Sequence, residues 1–190
     1  MPVDKNKKTW PDPLQIQLSG SGGQGLILAG IILADAALSE GFNVIQTQAY
    51  GPEARGGASR AEVILSKELI DYPHVEQPDI LLALTQEACD KYLPLASKKA
   101  LVIVDSLLVE NVPETKATVL SLPIIQTAKQ DLGKEMVGNI VALGALNSAA
   151  NLVSPEALEA AVLKRVPKAY AELNKKALEA GKTLPKLRRD

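Results

Sequence analysis

Two glycine-rich segments, each placed where an apolar strand should stop, constrain this chain more than anything else in it. The first is Gly20-Ser21-Gly22-Gly23-Gln24-Gly25, which follows an alternating run of Leu14, Ile16 and Leu18 and opens into a long apolar stretch, LILAGIILADAALS. The second is Tyr50-Gly51-Pro52-Glu53-Ala54-Arg55-Gly56-Gly57-Ala58-Ser59, which begins where a strand through Val44 and Ile45 should end. A strand, a glycine turn, a helix, a strand and a second glycine turn make the opening of an α/β sheet. In that arrangement both segments lie at the carboxyl edge of the strands, where open α/β sheets meet ligands and partners.

The same logic carries through the chain. The spacing predicts a strand over 14–19, a helix over 24–39 and a strand over 43–48. The helix is apolar on nearly every face, so it must be covered on more than one side. Gly30 inside it costs about 1 kcal/mol relative to alanine, which points to a close approach by a neighbouring element. Gly41 stands where a helix usually ends in a left-handed turn. A strand over 61–66 reads as open to one side. The run DILLALT at 79–85 suits a central parallel strand covered on both faces. A short helix over 86–92, a strand over 100–105 ending on Asp105 and a strand over 118–122 follow. Helices are expected over 124–132 and 137–153, then from Ser154-Pro155-Glu156 to about Pro167 and over 168–180. That third helix has a hydroxyl cap, proline in its first turn and an acid near its positive end. Consecutive strands around the second glycine segment break the alternation and imply an antiparallel pair there. The expected fold class is α/β, a three-layer Rossmann-like sheet, mostly parallel with some antiparallel pairing and with helices on both faces.

A chain of 190 residues can bury roughly 70% of its unfolded surface as one domain. We expect that domain over 14–181, with a loosely ordered arm at 1–13 and a basic tail at 182–190. Aromatic residues are only 3% of the chain, and the formal net charge is −1. Base-stacking platforms and a basic footprint are thus both missing, which argues against nucleic-acid partners. A single cysteine, Cys89, and a single histidine, His74, cannot by themselves form a disulfide, an iron–sulfur cluster or a structural zinc site. No cofactor is expected on this chain alone, no metal site and no catalytic residue. Any redox centre would belong to other subunits. The longest wholly apolar or glycine run, residues 26–34, is far short of the roughly 20 residues a spanning helix needs. We expect no membrane partner and a cytoplasmic location.

Gly20, Gly22 and Gly25 match the spacing of a dinucleotide-binding turn, and the helix behind them offers free N–H groups to an anion. The strand that follows nevertheless ends in Ile45-Gln46-Thr47-Gln48, where ribose recognition wants an acid. The phosphate-binding lysine of a P-loop is also missing. The turn therefore reads either as a tight strand-to-helix connection or as a docking surface. In the second segment, Arg55 and the adjacent Arg60 can grip a carboxylate or phosphate, or simply pair with Glu53 at the surface.

The combination is more specific than either part. The two glycine segments, the Ala29-Gly30 step, Pro78-Asp79-Ile80 leading into a buried strand, and Asn139-Ile140-Val141-Ala142-Leu143-Gly144 resemble the gamma subunit of the 2-oxoacid:ferredoxin oxidoreductases over roughly residues 14–165. The resemblance implies a complex that oxidatively decarboxylates a 2-oxoacid to an acyl-coenzyme A and passes the electrons to ferredoxin. Thiamine diphosphate would sit between alpha and beta subunits, and iron–sulfur clusters in beta and in a ferredoxin-like delta subunit. The gamma chain, inactive alone, would shape the assembly near coenzyme A. The tyrosine-bearing motif looks most like the 2-oxoglutarate type, with pyruvate, branched-chain and indolepyruvate enzymes as open alternatives. A free-standing nucleotide- or phosphoanion-binding protein and a plain scaffold are the rival readings. The residues expected to contact a ligand or sister subunits are Gly20, Gly22, Gly23, Gln24, Gly25, Tyr50, Gly51, Pro52, Glu53, Arg55, Gly56, Gly57 and Ser59. His74 reads as a surface loop residue and Cys89 as a buried small apolar one. Asp105 reads as the cap of the turn after its strand, and Asn139 as bonded to a neighbouring backbone.

Overall fold

The alternation of Leu14, Ile16 and Leu18 with Gln15, Gln17 and Ser19 produces a strand, β1 (Leu14–Ser21), whose apolar side chains all face one side. The structure is a computed structural model and describes residues 9–49 and 58–186. After β1 come α1 (Leu26–Ser39), β2 (Asn43–Ala49), β3 (Ala58–Ser66), β4 (Ile80–Ala83), α2 (Gln86–Tyr92), β5 (Leu101–Asp105) and β6 (Thr118–Leu122). The rest is helical: α3 (Ile124–Gln126), continued by a wide π turn over Thr127–Asp131, then α4 (Gly138–Ala150), α5 (Pro155–Arg165) and α6 (Ala171–Thr183). Gly41, at φ +81°, turns the chain out of α1, and the Ser154 hydroxyl accepts from Ala157 N at the start of α5.

The sheet has six strands in the order β2-β3-β1-β4-β5-β6. β1, β4, β5 and β6 are parallel neighbours, whereas β3 runs antiparallel to both β1 and β2. The antiparallel element expected around the second glycine segment is therefore β3, and its place in the sheet corrects one expectation. β3 is longer than 61–66 and is not open to one side. It lies between β1 and β2, and Glu62 and Ile64 on its second face are 4% and 2% exposed. A strand flanked on both edges inherits cover that its own sequence does not announce.

Successive residues of the central strands feed two cores, as the pleat requires. Ile80, Leu82, Leu101 and Ile103 pack with the α1 and α4 side, while Leu81, Ala83, Val102 and Val104 pack with Ala88, Cys89 and Tyr92 on the α2 side. Gly30 lets α1 approach β3, since a Cβ there would lie 2.9 Å from Ala61 Cβ. Helices α4 and α6 meet backbone to backbone through Gly144 and Gly181. A Cβ on Gly144 would come within 3.1 Å of Leu178 C, and one on Gly181 within 2.8 Å of Val141 C. Among residues 9–13, Trp10 is docked: its Nε1 donates to Ala150 O at 2.8 Å, and the ring packs against the main core. An ion pair joins α1 to α5, with Arg165 Nε 2.7 Å from Asp35 Oδ2. The hydrogen bond from Arg165, reinforced by its charge, holds the Asp35 carboxyl below the usual carboxylate range despite partial burial.

Candidate functional site

Because β2 runs parallel to β1, the ends of β1 and β2 and the start of β3 share one rim of the sheet. Gly20 pairs with Ser59 and Ser21 with Ala58, so the chain re-enters the sheet beside the first glycine turn. The Ser59 hydroxyl lies 3.4 Å from Ser21 O. Tyr50, Gly51, Pro52, Glu53, Arg55, Gly56 and Gly57 lie outside the described residues. The strand ends that carry them, Ala49 and Ala58, stand on this rim.

Within the first turn the glycines have different jobs. Gln24 folds its side chain back so that Oε1 accepts from Ser21 N at 2.8 Å, and it thereby occupies the space a Cβ on Gly20 would need. Gly25 takes φ +72° ahead of α1, a left-handed backbone that costs a residue with a Cβ. The same glycine faces Asn139 at the start of α4, whose Nδ2 donates to Gly25 O at 3.1 Å. Gly22 has no such duty, for a Cβ there would meet nothing within 4 Å and its φ is ordinary. The turn is thus closed from within by Gln24 and from behind by Asn139, and its outer point, Gly22, is open. Gln24, expected as a contact residue, is engaged inside the turn. Helix α1 has no side-chain N-cap and no acid in its first turn, so its first N–H groups take no acceptor from a cap residue.

Further along the rim, Asp105 ends β5 with no exposed surface. Its Oδ1 accepts from Leu107 N and Leu108 N at 2.9 Å each, and its Oδ2 from Ile125 N at 2.8 Å. It caps its turn, as its position suggested, and it also ties that turn to α3, which sequence spacing could not show.

Below the rim, on the α2 side, lies a polar cluster that the sequence alone did not reveal. Glu62 Oε2 accepts from Thr47 Oγ1 at 2.9 Å, and Arg60 Nε is 3.2 Å from Glu62 Oε1 without good hydrogen-bond alignment. The Arg60 guanidinium also stands 5.9 Å from the centre of the Tyr92 ring. Gln17, cross-strand from Glu62, is 2% exposed, and its Nε2 has no hydrogen-bond partner among the described residues. Arg60 is therefore drawn toward Glu62. The only available signal was the repeated polar residue at alternate positions of three strands.

No group of three or more His, Cys, Asp or Glu side chains among the described residues is placed to hold a metal ion. His74 is exposed, and its ring meets that of Tyr72 edge-on. Cys89 is buried in α2, and burial, followed by the neighbouring Asp90, pushes its thiol up. No helix among the described residues is long and apolar enough to cross a membrane.

The model of a family described as pyruvate ferredoxin/flavodoxin oxidoreductase matches residues 15–184. The chain belongs to this family. A 2-oxoglutarate synthase subunit KorC from Methanocaldococcus jannaschii is 46% identical over 179 residues, covering 93% of this chain and 96% of that protein. Among solved structures, the gamma subunit of a keto/oxoacid ferredoxin oxidoreductase from Geobacter sulfurreducens superposes with a TM-score of 0.81 at 51% identity, covering 89% of this chain and 96% of that one. A 2-oxoglutarate:ferredoxin oxidoreductase from Magnetococcus marinus, solved with 2-oxoglutarate, coenzyme A and succinyl-CoA bound, shares the fold. Its TM-score is 0.84 at 24% identity, over 93% of this chain but only 32% of the longer one. The expected gamma-subunit fold is borne out, and the chain's homologues are subunits of an oxidoreductase complex.

Proposed function

We propose that this chain is the gamma subunit of a 2-oxoglutarate:ferredoxin oxidoreductase. In this reading it binds sister subunits through Gly20, Gly22, Gly23, Gln24, Gly25 and Ser59 on the rim, together with Tyr50, Gly51, Pro52, Glu53, Arg55, Gly56 and Gly57 of the second glycine segment. Alpha and beta subunits, with a ferredoxin-like delta subunit, would bring thiamine diphosphate and iron–sulfur clusters. The complex would convert 2-oxoglutarate and coenzyme A to succinyl-CoA and carbon dioxide, with the electrons passing to ferredoxin. The observation that carries this reading is the similarity to KorC, which runs nearly the full length of both proteins. The geometry fits it: the first glycine turn ends in an open glycine, Gly22, where a Cβ would meet nothing within 4 Å.

Co-expression with the alpha and beta subunits is the test. The expected result is a co-purifying complex whose ferredoxin reduction requires 2-oxoglutarate, coenzyme A and this chain. Failure to co-purify overturns the reading, and turnover with another 2-oxoacid alone overturns the substrate. The rival anion-binding reading draws on the uncapped start of α1. It requires coenzyme A, NAD or ATP to stabilise the isolated chain, by about 2.7 kcal/mol at one hundred times the dissociation constant. An unmoved melting curve removes it.

A further inference from the structure

Among the described residues, three side-chain atoms are shut off from solvent and lack a hydrogen-bond partner: Gln17 Nε2, Arg60 Nε and Glu62 Oε1. All three fall in one place. The register sets Gln17 of β1 opposite Glu62 of β3, so their side chains share one face of the sheet, with Cβ atoms about 4.5–5.5 Å apart. Arg60 stands on the same face of β3, its Nε 3.2 Å from Glu62 Oε1 but poorly aligned with it. The other Glu62 oxygen is already engaged, since Oε2 accepts from Thr47 Oγ1 at 2.9 Å.

A buried polar group without a partner costs more than a typical hydrogen bond contributes. Three of them gathered at one point mark a site. Their chemistry defines what the site takes. Gln17 Nε2 and Arg60 Nε can only donate, and the carboxylate oxygen of Glu62 can only accept. An anion would be repelled by the carboxylate, and a cation by the guanidinium. A neutral oxygen that accepts two hydrogen bonds and donates one satisfies all three atoms. Gln17 and Glu62 are 2% and 4% exposed, too deep for a side chain of another molecule to reach. Water fits both the depth and the donor pattern, and buried waters usually make about three hydrogen bonds to otherwise unpaired groups.

We propose that Gln17, Arg60 and Glu62 hold an internal water molecule that bridges β1 to β3 below the first glycine turn. Gln17 precedes Gly20 on the same strand, and Thr47 brings β2 into the network through Glu62. The water completes a polar tie across three strands. The site belongs to the chain itself and holds whether or not sister subunits bind the rim.

Water-selective Overhauser spectroscopy on the nitrogen-15-labelled full chain tests the site. The side-chain amide protons of Gln17 should give a cross-peak at the water frequency, with the sign of a long-lived contact. The peak should persist in Thr47→Val, which removes the nearby hydroxyl that could relay it. Absence of the peak, or its loss in Thr47→Val, overturns the proposal. A crystal structure with ordered solvent gives a second reading that needs no variant. One water oxygen should lie within about 2.7–3.2 Å of all three atoms. A direct hydrogen bond from Gln17 Nε2 to Glu62 Oε1 overturns the proposal, and so does density that appears only with a polyol additive.

Discussion

Asn139 holds the first glycine turn from behind: its Nδ2 donates to Gly25 O at 3.1 Å, while its Oδ1 accepts from Ile140 N at 2.9 Å. One amide therefore joins the start of α4 to the turn before α1. Replacing Asn139 with Ala removes the donor to Gly25 and leaves the partly buried turn unsupported, a loss of about 1–3 kcal/mol. Urea denaturation of the isolated chain measures it. Gly25→Ala should cost a similar or larger amount, since it imposes φ +72° on a residue whose Cβ would lie 2.6 Å from Asn139 Nδ2.

The two outer glycines of the turn should behave oppositely. Gly20→Val collides with Gln24 and Leu26 and should destabilise the isolated chain by about 1–3 kcal/mol. Gly22→Val meets nothing within 4 Å, so stability should stay within about 1 kcal/mol of the parent. If the rim docks onto sister subunits, the Gly22 variant should fold normally and fail to support turnover of the complex. Thermal melts of the chain beside ferredoxin-reduction assays of the complex separate the two effects.

Gly144→Ala and Gly181→Ala each insert a methyl group between two helix backbones that the structure brings into direct contact. Backbone cannot rotate aside, so α4 and α6 must separate, at a cost of about 2 kcal/mol or more for each variant. The two changes act on one interface, and the double variant should cost less than the sum of the singles. Chemical denaturation of all three variants checks both statements.

Asp105→Asn keeps the shape of a buried side chain but turns an amide donor toward at least one of three backbone N–H groups. The expected loss is about 2–3 kcal/mol. It should be accompanied by faster amide exchange at Leu107, Leu108 and Ile125, the three donors named by the structure.

The Asp35–Arg165 pair predicts a pH signature. Hydrogen bonding from Arg165 lowers the Asp35 carboxyl in the folded chain, so the pair stabilises above the unfolded carboxylate value of about 3.9. That contribution is lost as the pH falls through the lower, folded value. Asp35→Asn should thus melt below the parent at pH 7, with the gap closing as the pH drops below about 3.9. A gap that is constant with pH would mean the pair contributes through packing alone.

Most of the fold was legible in the chain because its signals are local. The apolar alternation of β1, the continuous apolar runs of β4 and β5, and the Ser154-Pro155 start of α5 each follow from residues within a few positions of one another. The site was legible only as a pair of glycine segments. The sequence could not divide labour among the glycines, since Gly20, Gly25 and Gly22 differ in what stands opposite them, and those neighbours arrive from Gln24, Leu26 and Asn139. The same holds for the polar cluster around Glu62, whose members come from β1, β2, β3 and α2.

The sequence by itself determined the element types, the α/β class and the family, because periodicity, turn chemistry and motif spacing are properties of neighbouring residues. Only the tertiary structure decided that β3 is inserted between β1 and β2, so that the strand ends Ala49 and Ala58 stand beside the first glycine turn and an uncharged strand is left at the edge. Strand order is set by which apolar faces can be buried together. That choice is made across the whole chain, and no short stretch of it carries the answer.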